Sequence, residues 1–547
     1  MRGAVVVAMA LFCMAGAVVS PGAEELQVPS SGLFFNVKDF GAQGDGVTDD
    51  TGSVQKAIDT VGKSGGTLLF PPGTYQITSV GLIPGVRYLG YGATIRRPAK
   101  QGKWVRTFDA SKRGYAYRGE VDSLPLVIEG FIFDGNRTEQ DEYQKYQLEQ
   151  AHLIFLSAGR DLPGRLRARV QNCDFKDCVA DAISVYSNVD AQIANCTATD
   201  CFRGGVVITG GNTRVQLTNF TAGGKVHATG IDVEVDGSGY NGSKSIEFYI
   251  NGLSLPDGDF DVGIADHSVV VGSNIITKAP FYIYGGGETS EMRFSNCLFG
   301  VGEYSSYANR IVSPGNLTFD NCRFMIDGTS SEEKQKSWAA IHVYWRKPGE
   351  KQMIKLVNCD FSVGPGIADT DKTYAVYCEA YNKDSTGDDT LIVEGGTISS
   401  AFTEGIRLNQ GGKAIIRKTH IGAETALLLS SGAAYYLDVV VDSVDVRGSK
   451  VFANIPAQSI NNRIEFRNVF LDESENVLQT RYGLANNTYV GSRTIFGEEA
   501  PSAKMSGIVN DRYRLKKPLP GGVYEWICMV SNPGGKTVWK PLSTIAE

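Results

Sequence analysis

The sequence predicts an all-β solenoid, a single-stranded parallel β-helix. Three observations predict it: a recurring Asn-headed tetrapeptide, short hydrophobic runs punctuated by turns, and a length that suits growth in one dimension. The tetrapeptide occurs as Asn172-Cys-Asp-Phe175, Asn195-Cys-Thr-Ala198, Asn219-Phe-Thr-Ala222, Asn251-Gly-Leu-Ser254, Ser273-Asn-Ile-Ile276, Asn296-Cys-Leu-Phe299, Asn321-Cys-Arg-Phe324 and Asn358-Cys-Asp-Phe361. Fainter copies follow at Gly395-Gly-Thr-Ile398, Lys418-Thr-His-Ile421, Ser443-Val-Asp-Val446 and Asn468-Val-Phe-Leu471. Most steps are about 22 to 25 residues, the length of one three-sided coil, and the longer steps read as loop insertions. The 547 residues include 64 Gly, 25 Phe and 24 Tyr against 19 Pro, which suits many brief strands joined by turns.

A single coil cannot bury its own apolar side chains. Coils must therefore stack at the strand spacing of roughly 4.8 Å, with equivalent positions above one another. Asparagines at one such position form a ladder whose amides bond one another and the turn backbone, which satisfies a polar group at a bend. The Asn-X-Thr sequons at Asn195 and Asn219 fall inside this ladder and are discounted as glycosylation sites. Leucine-rich repeats share the period, but the Leu-x-x-Leu-x-Leu signature is absent.

Arg2 and the apolar run Ala4 to Val19, followed by Ser20-Pro-Gly-Ala23, read as a signal peptide over residues 1–23, so a secreted or periplasmic protein is expected. No later run approaches the roughly 20 apolar residues of a membrane-spanning helix. Residues 33–485 are assigned to the β-helix, including an N-terminal cap module over about 33–100, and residues 486–547 to a small C-terminal β appendage. For the appendage, capping, oligomerisation and sugar contact all stay open. The net charge of −7 gives no basic footprint for nucleic acid. Of ten cysteines, Cys13 lies in the leader, so at least one of the others is unpaired. Cys173 and Cys178 recur 23 residues later as Cys196 and Cys201, which fits stacked core positions better than a zinc site.

An open end of the stack would expose the core, and Asp49-Asp50-Thr51 offers N-cap side chains for a helix with Val54, Ala57, Ile58 and Val61 at helical spacing. An amphipathic capping helix is expected there. Gly65-Gly-Thr-Leu-Leu-Phe70 and Pro71-Pro-Gly-Thr-Tyr75 then read as strand, turn and strand. The run Asn36-Val-Lys-Asp-Phe-Gly-Ala-Gln-Gly-Asp-Gly-Val-Thr-Asp-Asp-Thr51, with Gln55, Ala57, Ile58 and Phe70-Pro-Pro-Gly-Thr-Tyr75, resembles the opening module of the pectate-lyase-like superfamily. That module also opens rhamnogalacturonase-like and epimerase-like proteins and phage tailspike depolymerases. The resemblance is close over the first hundred mature residues and is one of repeat architecture beyond them. It implies a right-handed parallel β-helix and a carbohydrate context, without fixing the reaction.

The strand after each turn carries a buried aliphatic with exposed neighbours on either side. Aligning Ala182–Tyr186, Gly205–Thr209, Gly230–Glu234, Gly263–His267, Pro280–Tyr284, Ala340–Tyr344, Ala375–Glu379 and Gly405–Asn409 collects one outward face. It holds Tyr186, Asp232, Glu234, His267, Tyr282, Tyr284, His342, Tyr344, Tyr377, Glu379 and Arg407. Aromatic platforms for sugar C–H faces and charged groups for hydroxyls suit a glycan lying across the coils, although stacked tyrosines also stabilise a sheet on their own. A one-residue slip would send these side chains inward.

Asp232 and Glu234 are two apart on one strand, hence on one face at roughly 6.5 to 7 Å, a spacing open to general acid and base or to nucleophile and acid in glycoside hydrolysis. Asp181 and His267 are further catalytic candidates, and Asp236 and Asp261 flank the pair. A solvated acidic edge or a calcium site is the structural alternative. Thr229-Gly-Ile-Asp-Val-Glu-Val-Asp236 also resembles a Gly-Ile-Asp-x-Glu segment of proteins with this opening module. Polygalacturonases carry Asn-Thr-Asp, Asp-Asp, Gly-His-Gly and Arg-Ile-Lys elements, and no complete set occurs here; Asp177 with Asp181, and His227, are loose echoes. Asp257-Gly-Asp-Phe-Asp261 lacks the Gly and Glu of an EF-hand loop, so no cofactor is assigned beyond a loosely held Ca²⁺.

The expected partner is a polysaccharide, with neither nucleic acid nor membrane, and with monomer and homotrimer both open. The leading reading is a secreted polysaccharide hydrolase. The alternatives are a lyase or epimerase, with His342 near Arg407 and Tyr377 serving an acidic sugar, and a non-catalytic glycan-binding protein.

Overall fold

Each coil contributes one strand to a narrow sheet and, across an asparagine bend, a longer path to a broad one. The computed structural model describes residues 33–545 except 103, 112–123, 141–147, 161–163, 225–228, 302–308, 313, 327–336, 346–350, 365–366, 368–371, 381–388, 410–411, 430–436, 456–461, 473–477, 481–487, 503–504, 506–508 and 531–536. Residues 1–23, where a signal peptide is expected, and His227 lie outside the described residues. The broad sheet has 30 strands and the narrow one 15. In the narrow sheet every pairing is parallel, joining coil to coil from Val80–Gly81 through Asp181–Val185, Gly204–Gly210, Thr229–Gly237 and Asp259–Ile264 to Leu478–Thr480.

The bend has a specific backbone cause. Asn172, Asn195, Asn219, Asn274, Asn296, Asn321 and Asn358 all have φ between 50° and 55°, in the left-handed region that Asn tolerates better than other non-glycine residues. The side chains form the ladder: Asn195 donates to Asn172 Oδ1 (3.3 Å), Asn219 to Asn195 Oδ1 (3.1 Å) and Asn321 to Asn296 Oδ1 (2.6 Å). Two segments of the sequence frame are displaced by one residue. Gly252 (φ 76°), not Asn251, and Asn274, not Ser273, occupy the bend. Asn251 still serves the ladder, because its Oδ1 accepts from Asn274 Nδ2 at 2.9 Å. Lys418, Ser443 and Asn468 take the same conformation in the later coils.

The residue after each bend is a core position. Cys173, Cys196, Phe220, Leu253, Ile275, Cys297, Cys322 and Cys359 are all buried there. Cys178 and Cys201 form a disulfide between adjacent coils, and the seven remaining cysteines after the leader are free and buried. Two residues further on, aromatic rings stack along the axis, as in Phe133 on Phe175 and Phe324 on Phe361, each at 5.0 Å.

A helix spans Thr51–Val61 and buries Val54, Ala57, Ile58 and Val61, against the strands Phe34–Asn36, Gly66–Leu69 and Val80–Gly81 among others. Asp50 makes no side-chain cap bond. Its carboxylate instead accepts from the amides of Gln43 (2.6 Å) and Gly44 (3.1 Å), pinning the glycine-rich loop, while Asp49 accepts from the Thr51 amide at 3.0 Å. At the far end the parallel stack passes from Thr488–Gly497 to Arg512–Leu515, then reverses into the antiparallel strands Val523–Val530 and Val538–Thr544. Arg493 and Asp511, both fully buried, hold this segment to the last coil: Arg493 Nε lies 3.1 Å from Asp511 Oδ1, and the Arg493 amide donates to the same oxygen at 3.0 Å.

The ladder is testable at Asn195, which bonds both of its neighbours. Asn195→Ala removes two side-chain bonds and puts a Cβ without amide compensation into a left-handed bend, so a loss of about 2 kcal/mol is expected as a lower urea midpoint. Asn195→Gly relieves the backbone term and is expected to lose less.

Candidate active site

In-register stacking turns positions in the narrow sheet into columns. Ile183, Val206, Ile231 and Phe260 are partners and are fully buried, so their sequence neighbours face outward. One outward column runs Phe155, Ser184, Val207, Asp232, Asp261, Tyr282, Arg310, His342, Tyr377, Arg407. A second, two residues on, runs Glu234, Gly263, Tyr284, Val312, Tyr344, Glu379, Asn409.

The acidic residues meet at the start of this face. Asp232 and Asp261 are direct partners on adjacent coils, and Glu234 lies two residues beyond Asp232 on its own strand. Burial, reinforced by Glu234 and Asp181 and opposed by Arg203, pushes the Asp232 carboxyl up to about 7. Burial together with Asp259, Asp232 and Glu234 pushes Asp261 up to about 8. Gly263 faces outward without a side chain because the ring of Tyr284 lies against its Cα, which brings that phenol within electrostatic reach of Glu234, Asp232 and Asp261. Burial, with those acids, raises the phenol well above its usual range. Tyr282 stacks on Tyr284 at 4.7 Å.

Glu234, Asp236 and Asp181 line a cleft of about 610 Å³. The same cleft is lined from the preceding coils by residues that include Trp104, Arg106, His152, Phe155, Arg160, Tyr186 and Arg203. Asp181 and His152 are buried, with Nδ1 of His152 3.1 Å from Asp181 Oδ2. Tyr186 accepts a hydrogen bond from Arg160 and packs against Gly237.

Further along the face lies a second group. His342 stacks on Tyr377 at 4.5 Å and stands 3.1 Å from Glu379 Oε1, while Tyr377 donates to Glu379 Oε2 at 2.8 Å. Burial works against ionisation of Glu379, yet the bonds from His342 and Tyr377 outweigh it and hold its carboxyl below the ordinary range. Burial, aided by Glu379, pushes the Tyr377 phenol up to about 12. Arg407 reaches Tyr374 Oη (3.3 Å) and Glu404 (3.5 Å), and Arg310 lies 5.0 Å from the Tyr344 ring centre.

The structure therefore brings together Asp181, Asp232, Glu234, Asp236, Asp261, Tyr282 and Tyr284, with Tyr186 against Gly237 at the end of the acidic strand. It holds His342, Tyr344, Tyr377, Glu379 and Arg407 four to six coils beyond Asp232 and Glu234. It does not bring His267. The expected strand Gly263–His267 is displaced by four residues, because Phe260, Val262 and Ile264 are the inward set and the strand is Asp259–Ile264. Gly263-Ile264 mimics Gly230-Ile231 in sequence, whereas the turn at Pro256-Asp257-Gly258 starts the strand earlier. His267 sits exposed in the turn beyond the strand at φ 59°, its amide donating to Thr289 Oγ1. Asp259 and Asp261 are strand residues, and among the described residues no group of three or more His, Cys, Asp or Glu is arranged to hold a metal ion. No described helix is long and apolar enough to cross a membrane.

Sequence reasoning missed Arg106, His152, Phe155, Arg160, Arg203 and Arg310. The Asn frame starts at Asn172, but Gly130 (φ 78°) makes the same bend one coil earlier, and Ile132-Phe133-Asp134 pairs with Asp174-Phe175-Lys176. Following glycine as a substitute for asparagine would have led back to the strand Ile154–Leu156. Arg310 stands on a strand of three residues, Arg310–Val312, too short to show a pattern.

Residues 34–249 match the family described as rhamnogalacturonase A/epimerase, pectate lyase-like. Among curated relatives, alginate lyase 7 of Azotobacter vinelandii is 56% identical over 45 residues, 8% of this chain and 5% of that protein. Mannuronan C5-epimerase AlgE4 of the same organism is 52% identical over 48 residues, 9% of each chain. The chain thus spans less than a tenth of the length of these relatives. Among solved structures, the AlgE4 A-module is 14% identical with TM-score 0.32, covering 84% of this chain and 97% of that one. A hyperthermoactive exopolygalacturonase from Thermotoga maritima is 12% identical with TM-score 0.32, covering 82% and 93%.

The raised carboxyls carry a stability consequence. Asp232 and Asp261 hold protons in the folded state that the unfolded chain releases above about pH 4. Their contribution is therefore fully present below that pH and is lost as pH rises through about 7 and 8. Thermal midpoints measured across pH should show Asp232→Asn and Asp261→Asn more stable than the parent at pH 9, with the gap closing toward pH 4.

Proposed function

We propose that this parallel β-helix protein, whose residues 34–249 match the rhamnogalacturonase A/epimerase, pectate lyase-like family, is a glycoside hydrolase acting on a polysaccharide laid across the coils. The observation that carries this reading is the registered pair Asp232 and Asp261 with Glu234 beside it, two of the three held protonated near neutral pH. A protonated carboxyl can donate to the leaving glycosidic oxygen, and a second carboxylate can activate water or attack the anomeric carbon. Asp232 is assigned as the acid and Glu234 as the second carboxylate, whose charge, after burial, does most to keep Asp232 protonated. Tyr282 and Tyr284 offer faces for the adjoining sugars. The apolar leader supports export, so the polymer is met outside the cytoplasm.

A lyase or epimerase reading finds support in His342, Tyr377 and Arg407 on the same face. Such a reaction needs a base to remove a proton beside a carboxylate, and the phenols of Tyr284, Tyr344 and Tyr377 are all raised, which favours donation over abstraction.

Asp232→Asn and Glu234→Gln are each expected to lower turnover by about 10² to 10⁴-fold on the responsive glycan, read as new reducing ends. Ultraviolet absorbance from an unsaturated product would instead identify elimination. Activity should fall as pH rises past about 7, where the Asp232 carboxyl ionises. Asp236→Asn removes a repelling charge, so this alkaline limb should move to lower pH.

A further inference from the structure

We propose that the part of the cleft lined by the coils that precede the acidic strand is a subsite for an anionic sugar residue, one bearing a carboxylate or a sulfate, with Arg106 as its principal contact. This rests on the reading of the cleft as a sugar site, but not on the reaction assigned to it. The guanidinium of Arg106 lies 3.4 Å over the ring of Phe155 in that cleft. Its Nε is buried and makes no hydrogen bond, and burial lowers its pKa from the usual arginine value. Asp109 is the acid within electrostatic reach, and its Oδ1 is taken by the amide (2.8 Å) and hydroxyl (2.5 Å) of Ser111. Arg160 enters the same cleft with Tyr186 as its hydrogen-bond partner, and Arg203 adds a further positive charge, donating to the Glu149 carbonyl at 3.3 Å and lying 3.8 Å from its carboxylate.

A guanidinium over an aromatic ring in the lining of a polar cleft, with no ion pair among the described residues, is poised for a planar or tetrahedral anion. Desolvating it without such a partner is costly, and an anionic ligand would remove that cost. The position also matters. Phe155 is three strands from Asp232 in the same column, roughly 14 Å at the strand spacing, so the anion lies some sugars away from the carboxyl row. At Glu234, and at Asp232 and Asp261 once they ionise, a carboxylated sugar would meet like charge, whereas at Arg106 it would meet opposite charge. The favoured polymer therefore presents an uncharged unit at the carboxyls and an anionic unit toward the N-terminal coils.

The test is calorimetric binding to the full chain carrying Asp232→Asn, so that turnover is suppressed. The probes are oligogalacturonate and oligomannuronate, their carboxyl-reduced counterparts, and a sulfated dextran oligomer beside plain dextran. At least one anionic probe should bind about ten-fold or more tightly than its neutral counterpart, with an affinity that falls as salt rises. Arg106→Gln should abolish that preference and leave neutral binding within about two-fold, while Arg106→Lys should keep part of it. Carboxylated and sulfated arms identify which anion is read. No preference for any anionic probe, or equal losses for charged and neutral probes in a normally folded Arg106→Gln, would overturn the inference. Preference without turnover in the parent chain would instead remove the hydrolase reading and leave the subsite standing.

Discussion

Register is the constraint on which everything else rests. Each coil is tied to the next by parallel pairing and by a bend in which Asn172, Asn195, Asn219 and their successors adopt a conformation few residues accept and exchange side-chain hydrogen bonds along the axis. The cost of that bend is shared by a column of equivalent residues, so a coil displaced by one residue would lose its ladder and turn its core side chains outward together. Because the register holds, Asp232 and Asp261 become neighbours although 29 positions separate them, and Tyr377 stacks on His342 from the next coil.

The architecture was legible in the sequence because the bend requires a narrow set of residue types and the position after it must be apolar. Asn296-Cys and Asn321-Cys announce both requirements at once. The frame fails where another residue satisfies the same backbone demand. Gly252 and Gly130 make the bend as well as asparagine does, so the coil of Asn251 was read one residue early and the coil before Asn172 was not read at all. The helix was legible from its apolar spacing, but the work of Asp50 was not, since a carboxylate serves a cap or a neighbouring loop with equal chemical ease.

The site was legible to the extent that the register was. Asp232 and Glu234 share a face on any reading of their strand, and the tyrosines follow from the period. His267 was misplaced because Gly-Ile recurs four residues late in a coil whose inward set is led by Phe260. The arginines of the cleft were invisible for a different reason: Arg106 and Arg160 stand in loops flanking short strands, where no periodicity marks which way a side chain turns. Charge along the face thus alternates between an arginine-bearing wall, a carboxyl row and an aromatic stretch bearing Arg310 and Arg407. Only the middle zone and the tyrosines could be drawn from pattern alone.

The reversal of chain direction after Arg512–Leu515 bears on assembly. A parallel solenoid ends in a row of unpaired peptide groups that could template another molecule end to end. Here the antiparallel strands Val523–Val530 and Val538–Thr544 occupy that edge, and the buried Arg493–Asp511 pair fastens them down. The open edge thereby passes to Val538–Thr544, where Lys540 and Pro541 are residue types that disfavour pairing with another sheet edge.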